Sequence, residues 1–363
     1  MNQTANLTAN TQTGIASDGT VQGPQAWSSA QMAARRDEWT WQLDDAARKA
    51  LEFAERQLPE HGDLLAFERE NFPLGDFAPT LANIRAQLLD GAGFAVLKGL
   101  PVDTWGVEKS ARIYWGIGLH LGLAVSQNGK GHVLGHVKDL GLEYSDPQTR
   151  GYQTSARLPF HTDYADLVAL MCLRTARSGG LSSITSSVSV YNEMRRRAPE
   201  LARVLTEPLY RTRWGEVGGD RPPWIEVPAF NIHETGVVTT YVRSAVRKAQ
   251  LMPEVPRVSA LQEEAMDLFD EIAGSDALRL DMDFDVGDVQ ILNNHWILHS
   301  RTAYEDYPEP ERRRHLMRLW LACDDGPPFP PAMTKSFQGL THNGRPNGIH
   351  MPGVPLVAPL EAE

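Results

Sequence analysis

Cysteine is nearly missing from this chain. Its 363 residues include only Cys172 and Cys323, each inside an apolar run ("VALMCLR", "LWLACDD"). That excludes a disulfide scaffold, and two buried thiols in a reducing cytoplasm are expected. Excess positive charge is missing too. Lys plus Arg total 35 against 46 Asp plus Glu, a formal charge of -11, which argues against a nucleic-acid-binding surface while leaving a local basic pocket open. No apolar stretch reaches the length of a membrane helix. The opening "MNQTANLTANTQTG" has neither the positive n-region nor the apolar h-region of a secretory signal. The expectation is a cytoplasmic protein without a nucleic-acid or membrane partner. What is present is a hydrophobic fraction of 42%, enough for one large core.

Residues 1–30 are rich in Asn, Gln, Thr, Ser and Gly, and read as a disordered arm. From Ala33 to Gln57 apolar residues recur at spacings of three and four, the signature of one helix face. Pro79 to Leu89 reads as a second helix, "GFAVLKGLP" (Gly93 to Pro101) as a buried strand, and "TWGVEKSARIYWGIGLHLG" as helical again. After Gly122 short apolar runs alternate with Gly, Pro, Asn and Asp, including "GVVTTYVRSAV", "GDVQILNN", "WILHSRTAY" and "RHLMRLWLAC". Many short strands between turn signals point to a β-sandwich or barrel, with helices near Val190–Arg203 and Ser259–Ala273. A single domain over 31–323 follows, mainly β with helical decoration, and a Pro/Gly-rich tail over 324–363 packs on its surface.

Within "RLPFHTDYADL", His161 and Asp163 are two residues apart at the edge of a strand-like run, so both side chains project to one face. One imidazole and one carboxylate make two ligands for a divalent ion. A His-x-Asp triplet is common by chance, and alone it reads as a surface polar patch rather than a metal site. His299, in the later strand "WILHSRTAY", supplies a third ligand. Two histidines and a carboxylate bind one face of an octahedral ion and leave positions for a chelating cosubstrate and O2, as in non-haem Fe(II) oxygenases. His295 is a rival ligand, but it falls in a turn. His132 and His136 have the i, i+4 spacing of a helical metal pair in a Gly-rich, β-like setting. His61, His342 and His350 read as surface residues.

Arg318 stands among apolar neighbours in "HLMRLWLAC". A buried guanidinium needs a partner, ideally a carboxylate engaged through two N–H groups. Strand parity puts Arg314, Leu316, Arg318 and Trp320 on one face. A protein carboxylate such as Asp281, Asp283 or Asp285 would make it an ion pair, whereas a dicarboxylic cosubstrate would make it a clamp.

The stretches "LPFHTD", "SGGLSS", "GDVQILNNHWILHSRTAYED" and "RRRHLMRLWL" together resemble the Fe(II)- and 2-oxoglutarate-dependent dioxygenases of the taurine dioxygenase and 2,4-D dioxygenase superfamily, in order from Gly93 to Ala322. The resemblance implies a double-stranded β-helix, or jelly roll, with His161, Asp163 and His299 as iron ligands. Arg318 would hold the distal carboxylate of 2-oxoglutarate, with Arg314 as the alternative. Ser182 falls where the family has "GGDT"; here the run is "GGLS", so a hydroxyl is kept but not the threonine. The implied chemistry couples decarboxylation of 2-oxoglutarate to succinate and CO2 with hydroxylation or desaturation of a second substrate. Retention of Asp163 disfavours halogenation, because halogenating relatives carry a small residue there.

Substrate contacts are expected from Asn128, Tyr164, Arg301 and Arg243, with Arg247 beside the last. The loop "RWGEVGGDRPPW" (Arg213 to Trp224) is a candidate lid. A small acid, an amino acid or a natural-product intermediate would suit these residues. Two other classes compete: a cupin-like metalloenzyme doing lyase or isomerase chemistry, and a silent binding protein on the same scaffold. Arg318 argues against the first, and the complete ligand set against the second. A protein hydroxylase is a further reading, though no peptide groove is visible in the sequence.

Overall fold

The computed structural model describes residues 13–60, 62–146, 148–234, 236–341 and 343–362. In chain order its framework strands are β1 (Thr40–Gln42), β2 (Phe94–Lys98), β3 (Leu123–Ala124), β4 (Leu134–Val137), β5 (Leu158–His161), β6 (Leu167–Arg174), β7 (Ser182–Ser186), β8 (Leu280–Met282), β9 (Val289–Asn293), β10 (Ile297–Arg301) and β11 (His315–Ala322). Seven form a major sheet in the order β1-β2-β9-β6-β11-β3, with β4 also on β11. Four form a minor sheet in the order β8-β7-β10-β5. All these pairings are antiparallel except β1 with β2.

The longest strands, β6 and β11, read "LVALMCLR" and "HLMRLWLA" and are buried along almost their whole length. Such runs, apolar on both faces, fit only a strand covered on both sides. One cover is a helical layer of α2 (Asp45–Gln57), α3 (Ala78–Leu89) and α4 (Val102–Leu119), while α1 (Ser29–Ala34) packs through Met32 in a separate cluster with Phe94, Leu280 and Leu292. Ala47, Leu51 and Ala54 of α2, Leu81, Ile84 and Leu88 of α3, and Ile113 and Ile117 of α4 pack in one cluster with Ala169, Met171, Met317 and Leu319 of the sheet. The approach is close: a Cβ on Gly118 of α4 would sit 2.7 Å from the Leu319 side chain. Helices α5 (Ser187–Arg197), α6 (Pro199–Val204), α7 (Arg243–Ala249) and α8 (Ala260–Ala273) form a second layer behind the minor sheet, around Tyr191, Phe230 and Phe269. No helix among the described residues is long and apolar enough to cross a membrane.

Four local expectations need correction. The helix read over Ala33–Gln57 is broken by a 3-10 turn and β1, because Trp39 turns inward to donate to Met32 O at 2.9 Å and Asp44 caps a new start by accepting from Ala47 N. The arm over 1–30 is not loose from residue 13 on, while residues 1–12 lie outside the described residues. Gly14–Ile15 pairs with Val21–Gln22, and buried Trp27 donates to Ala92 O at 2.9 Å. The strand-like run "GVVTTYVRSAV" is a strand only to Thr239, and its second half begins α7. The tail is not confined to the surface. Arg345 is 5% exposed and sends two N–H groups to Asp166, because a buried carboxylate at that position needs a cation.

Candidate metal centre and its cavity

The minor sheet builds the metal set by register. His299 of β10 is the direct cross-strand partner of His161 of β5, so both rings leave the same face, their centroids 4.2 Å apart. Asp163 follows His161 by two residues, just past the end of β5. Ligand atoms of His161, Asp163 and His299 lie within 4.8 Å of one another. Asn294 holds the loop that carries Asp163: its Oδ1 accepts from Asp163 N at 2.7 Å, and its Nδ2 donates to Asp163 O at 2.8 Å and Ala165 O at 2.9 Å.

The major sheet supplies the electrostatics. Trp320 Nε1 donates to Asp163 Oδ2 at 2.8 Å, and Arg318 Nη1 lies 3.3 Å from the same oxygen. Burial pushes the Asp163 carboxyl up, but Arg318, both histidines and the Trp320 N–H outweigh it and hold the carboxyl below its usual range. His299 is pushed down to about 3, chiefly by burial and then by His161, so it is a neutral imidazole with a lone pair for a metal. His161 Nδ1 bonds Pro159 O at 2.8 Å, which fixes the ring and leaves Nε2 for the centre. The chemistry and convergence of these donors fit Fe(II).

The triad opens into a cavity enclosing about 1060 Å³ including its mouth. Its wall holds Tyr164, Ser182, Arg243, Arg301, Arg314 and Arg318, and not Asn128. The Asn128 carboxamide instead turns its own loop, accepting from Lys130 N at 2.9 Å, a local Asx turn. Arg243 reaches the wall but is committed to Glu263, Asp267 and Asp270, which together drive its pKa upward. Arg247 lies near Glu263 as well, at 3.8 Å.

The parity expected of β11 holds, since Arg314, Leu316, Arg318 and Trp320 all face the cavity. The two arginines differ in their partners. Arg318 is paired with Asp163, donates from Nε to Gln127 Oε1 at 2.7 Å, and stacks on Tyr152 and Trp320. Arg314 is 4% exposed, and its Nη1 has no acceptor among the described residues. A buried cation with a free donor is the fitting counterpart of a dicarboxylic cosubstrate.

Of the rival histidines, His295 is buried against Asp166, Nε2 to Oδ1 2.7 Å, well removed from ligand duty. His136 bonds His315 and Pro359 O. His132 sits in a bridge with Val357, and His350 is half-buried. His61 and His342 lie outside the described residues. The candidate lid is tied down: Glu216 pairs with Arg150, and the Trp214 ring meets Lys248 at 4.6 Å. Trp214 itself adopts a left-handed φ of 57°, a strained conformation at the cavity mouth. Asn294 and Gln127 were not singled out by sequence, and Trp320 was placed only by parity, with no role. Their only local signal was polarity, or a ring N–H, inside an apolar setting.

The chain matches the family model described as taurine catabolism dioxygenase TauD, TfdA family, over residues 55–320. It is 32% identical to FR-33289 synthase of Streptomyces rubellomurinus over 90% of this chain and 97% of that protein. It is 30% identical to the taurine hydroxylase-like protein SAT17 of Stachybotrys chartarum, over 75% and 72% respectively. Among solved structures, an asparagine oxygenase in complex with Fe(II), 2S,3S-3-hydroxyasparagine and succinate superposes with a TM-score of 0.61 at 16% identity, covering 86% of this chain and 99% of that one. The shared fold is the double-stranded β-helix, as expected.

Proposed function

The chain belongs to the taurine catabolism dioxygenase TauD, TfdA family, and from that premise we propose that it hydroxylates or desaturates a small anionic organic molecule, such as an amino acid or another carboxylic acid. Fe(II), 2-oxoglutarate and O2 are the cofactor and cosubstrates of such a site. When bound they supply the oxidising chemistry, in which decarboxylation to succinate and CO2 drives oxidation of the second substrate. The observation that carries the reading is the His161, Asp163 and His299 triad facing the same cavity as Arg314, whose Nη1 has no acceptor among the described residues.

The residues divide the work. His161, Asp163 and His299 hold the metal, and Asn294 and Trp320 fix the carboxylate that completes the set. Arg314 rather than Arg318 is assigned to the distal carboxylate of 2-oxoglutarate, because Arg318 already serves Asp163 and Gln127. Arg318 orients the metal carboxylate. Tyr164, Phe284 and Trp214 line the cavity and present ring surface that disfavours water. Of the five arginines on the cavity wall, Arg150 and Arg243 are neutralised by Glu216 and by Glu263, Asp267 and Asp270, so Arg301, Arg314 and Arg318 carry the preference for anionic ligands.

The test is anaerobic Fe(II) titration with and without 2-oxoglutarate, followed by visible absorption. The chelated ferrous complex gives a weak charge-transfer band in the wild type. His161→Ala should lose it, and succinate release can then rank candidate acids. Metal-loaded wild type that gives no band and binds no 2-oxoglutarate would overturn the reading in favour of non-oxidative metalloenzyme chemistry.

A further inference from the structure

Two buried guanidiniums meet at the inner end of the cavity. Arg301 follows His299 by two residues on β10, so it shares the face of the metal ligand. It is 5% exposed and lines the cavity together with Arg314. Both guanidiniums lie over the Tyr304 ring, at 4.7 and 5.1 Å. Arg301 Nη2 donates to Thr154 O at 2.8 Å and to Ala156 O. Its Nε and Nη1, like Arg314 Nη1, have no acceptor among the described residues.

The start of β7 brings the pair together. Ser182 is the cross-strand partner of Arg301, and a Cβ on Gly180 would sit 3.0 Å from Arg314 Nε. The Ser182 hydroxyl donates to Gln290 Oε1 at 3.1 Å, so its one proton is already used. The carboxylate facing this cluster is Asp306. Its Oδ1 accepts from Arg314 N at 2.7 Å and its Oδ2 is unpaired, and Asp139 acts on Arg301 from further away. Two cations so placed repel each other and leave three N–H donors without acceptors, a costly arrangement that an incoming carboxylate relieves.

We propose that Arg301 is a second binding residue for the distal carboxylate of 2-oxoglutarate, which bridges the Arg301 and Arg314 guanidiniums. This rests on the reading that the cavity binds 2-oxoglutarate through Arg314. It moves Arg301 from the substrate side, where sequence placed it, to the cosubstrate. It also assigns to a guanidinium the second contact that the hydroxyl at Ser182 is not free to donate.

The test uses two keto acids that chelate the metal alike: 2-oxoglutarate, and 2-oxovalerate, which has the same carbon chain without the distal carboxylate. Both are titrated anaerobically into the Fe(II)-loaded protein, with the charge-transfer absorption as readout. Wild type should prefer 2-oxoglutarate. Arg301→Gln should shrink that preference by about 10- to 100-fold, the worth of a charge-assisted bond, with 2-oxovalerate affinity little changed. A role confined to holding the Thr154 and Ala156 carbonyls would weaken both acids equally, and that result overturns the proposal. Arg314→Gln gives a second reading that does not require the Arg301 variant to fold. It should keep a residual preference for 2-oxoglutarate through Arg301, and complete loss of preference there also overturns the proposal. If wild type gives no band with either acid, the functional reading itself falls. If wild type discriminates, and only the Arg301→Gln ratio matches it, the second arginine alone falls.

Discussion

Replacing Arg345 with methionine should destabilise the protein far more than a tail residue ordinarily would. Asp166 is 1% exposed, and its carboxylate receives four bonds. Two come from Arg345, Nε to Oδ2 at 2.8 Å and Nη2 to Oδ1 at 2.5 Å. The others come from His295 Nε2 at 2.7 Å and Cys323 N at 2.8 Å. Burial lowers the pKa of His295 despite Asp166, so Arg345 is the cation that balances the carboxylate. Methionine keeps the stem and deletes the charge, leaving a buried anion with two donors, at a cost of about 3–5 kcal/mol at pH 7. Urea denaturation of Arg345→Met at pH 7 measures it.

The pH dependence carries a sign that can be checked. In the wild type, burial pushes the Asp166 carboxyl up, but His295 and Arg345 outweigh it, so its folded pKa is depressed. Its stabilising contribution is present above the ordinary carboxyl value and is lost only as pH falls through that depressed pKa. Without Arg345, burial dominates and the folded pKa rises above the ordinary value. The penalty then sits above that raised pKa and fades as pH falls toward about 4. The gap between wild type and Arg345→Met should therefore narrow on acidification, and adding Asp166→Asn should recover much of the loss at pH 7. A loss under about 1 kcal/mol, or a gap that widens as pH falls, would refute the reasoning.

Trp320→Phe removes the N–H that Asp163 Oδ2 accepts, and should weaken Fe(II) binding by about 10- to 100-fold, the usual effect of losing a partner of a metal ligand. Competition with a ferrous chelator reads it, and an unchanged affinity would show that Arg318 suffices to orient the carboxylate. Burial pushes the Cys172 and Cys323 thiols up to about 12 and about 11, so neither should react with a thiol reagent at pH 8 until the chain is unfolded. Rapid labelling of the native protein would contradict the burial of both.

The metal set was legible because each part is a short-range pattern. His161 and Asp163 are spaced for one face, His299 lies in a strand bounded by turns, and the parity of β11 placed Arg314 and Arg318 together. What sequence could not show was which buried cation already had a partner. Arg318 looked the better clamp because its sequence neighbours are more apolar, yet the carboxylate and amide that occupy it come from residues 155 and 191 positions away. Asp166 with Arg345 is the same problem at longer range, a pairing of residues 179 apart with no local trace. The helix over Ala33–Gln57 holds only from Asp45, because apolar spacing across a turn mimicked one continuous face and Asp44, the cap of the true start, lay inside the pattern. Asn128 and Arg243 were read as substrate contacts from residue type, but local turn chemistry engages the first and α8 carboxylates the second.

The metal ligands do not belong to one layer. His161 and His299 stand on the four-stranded sheet, while Asp163 is gripped by Trp320 and Arg318 of the seven-stranded sheet. An ion bound there acts as a rivet between the two layers, and its binding free energy adds to the work of prising them apart. At a free-ion concentration 100 times the dissociation constant that addition is about 2.7 kcal/mol. The melting temperature of this protein is thus a property of the iron in its surroundings as much as of its own chain.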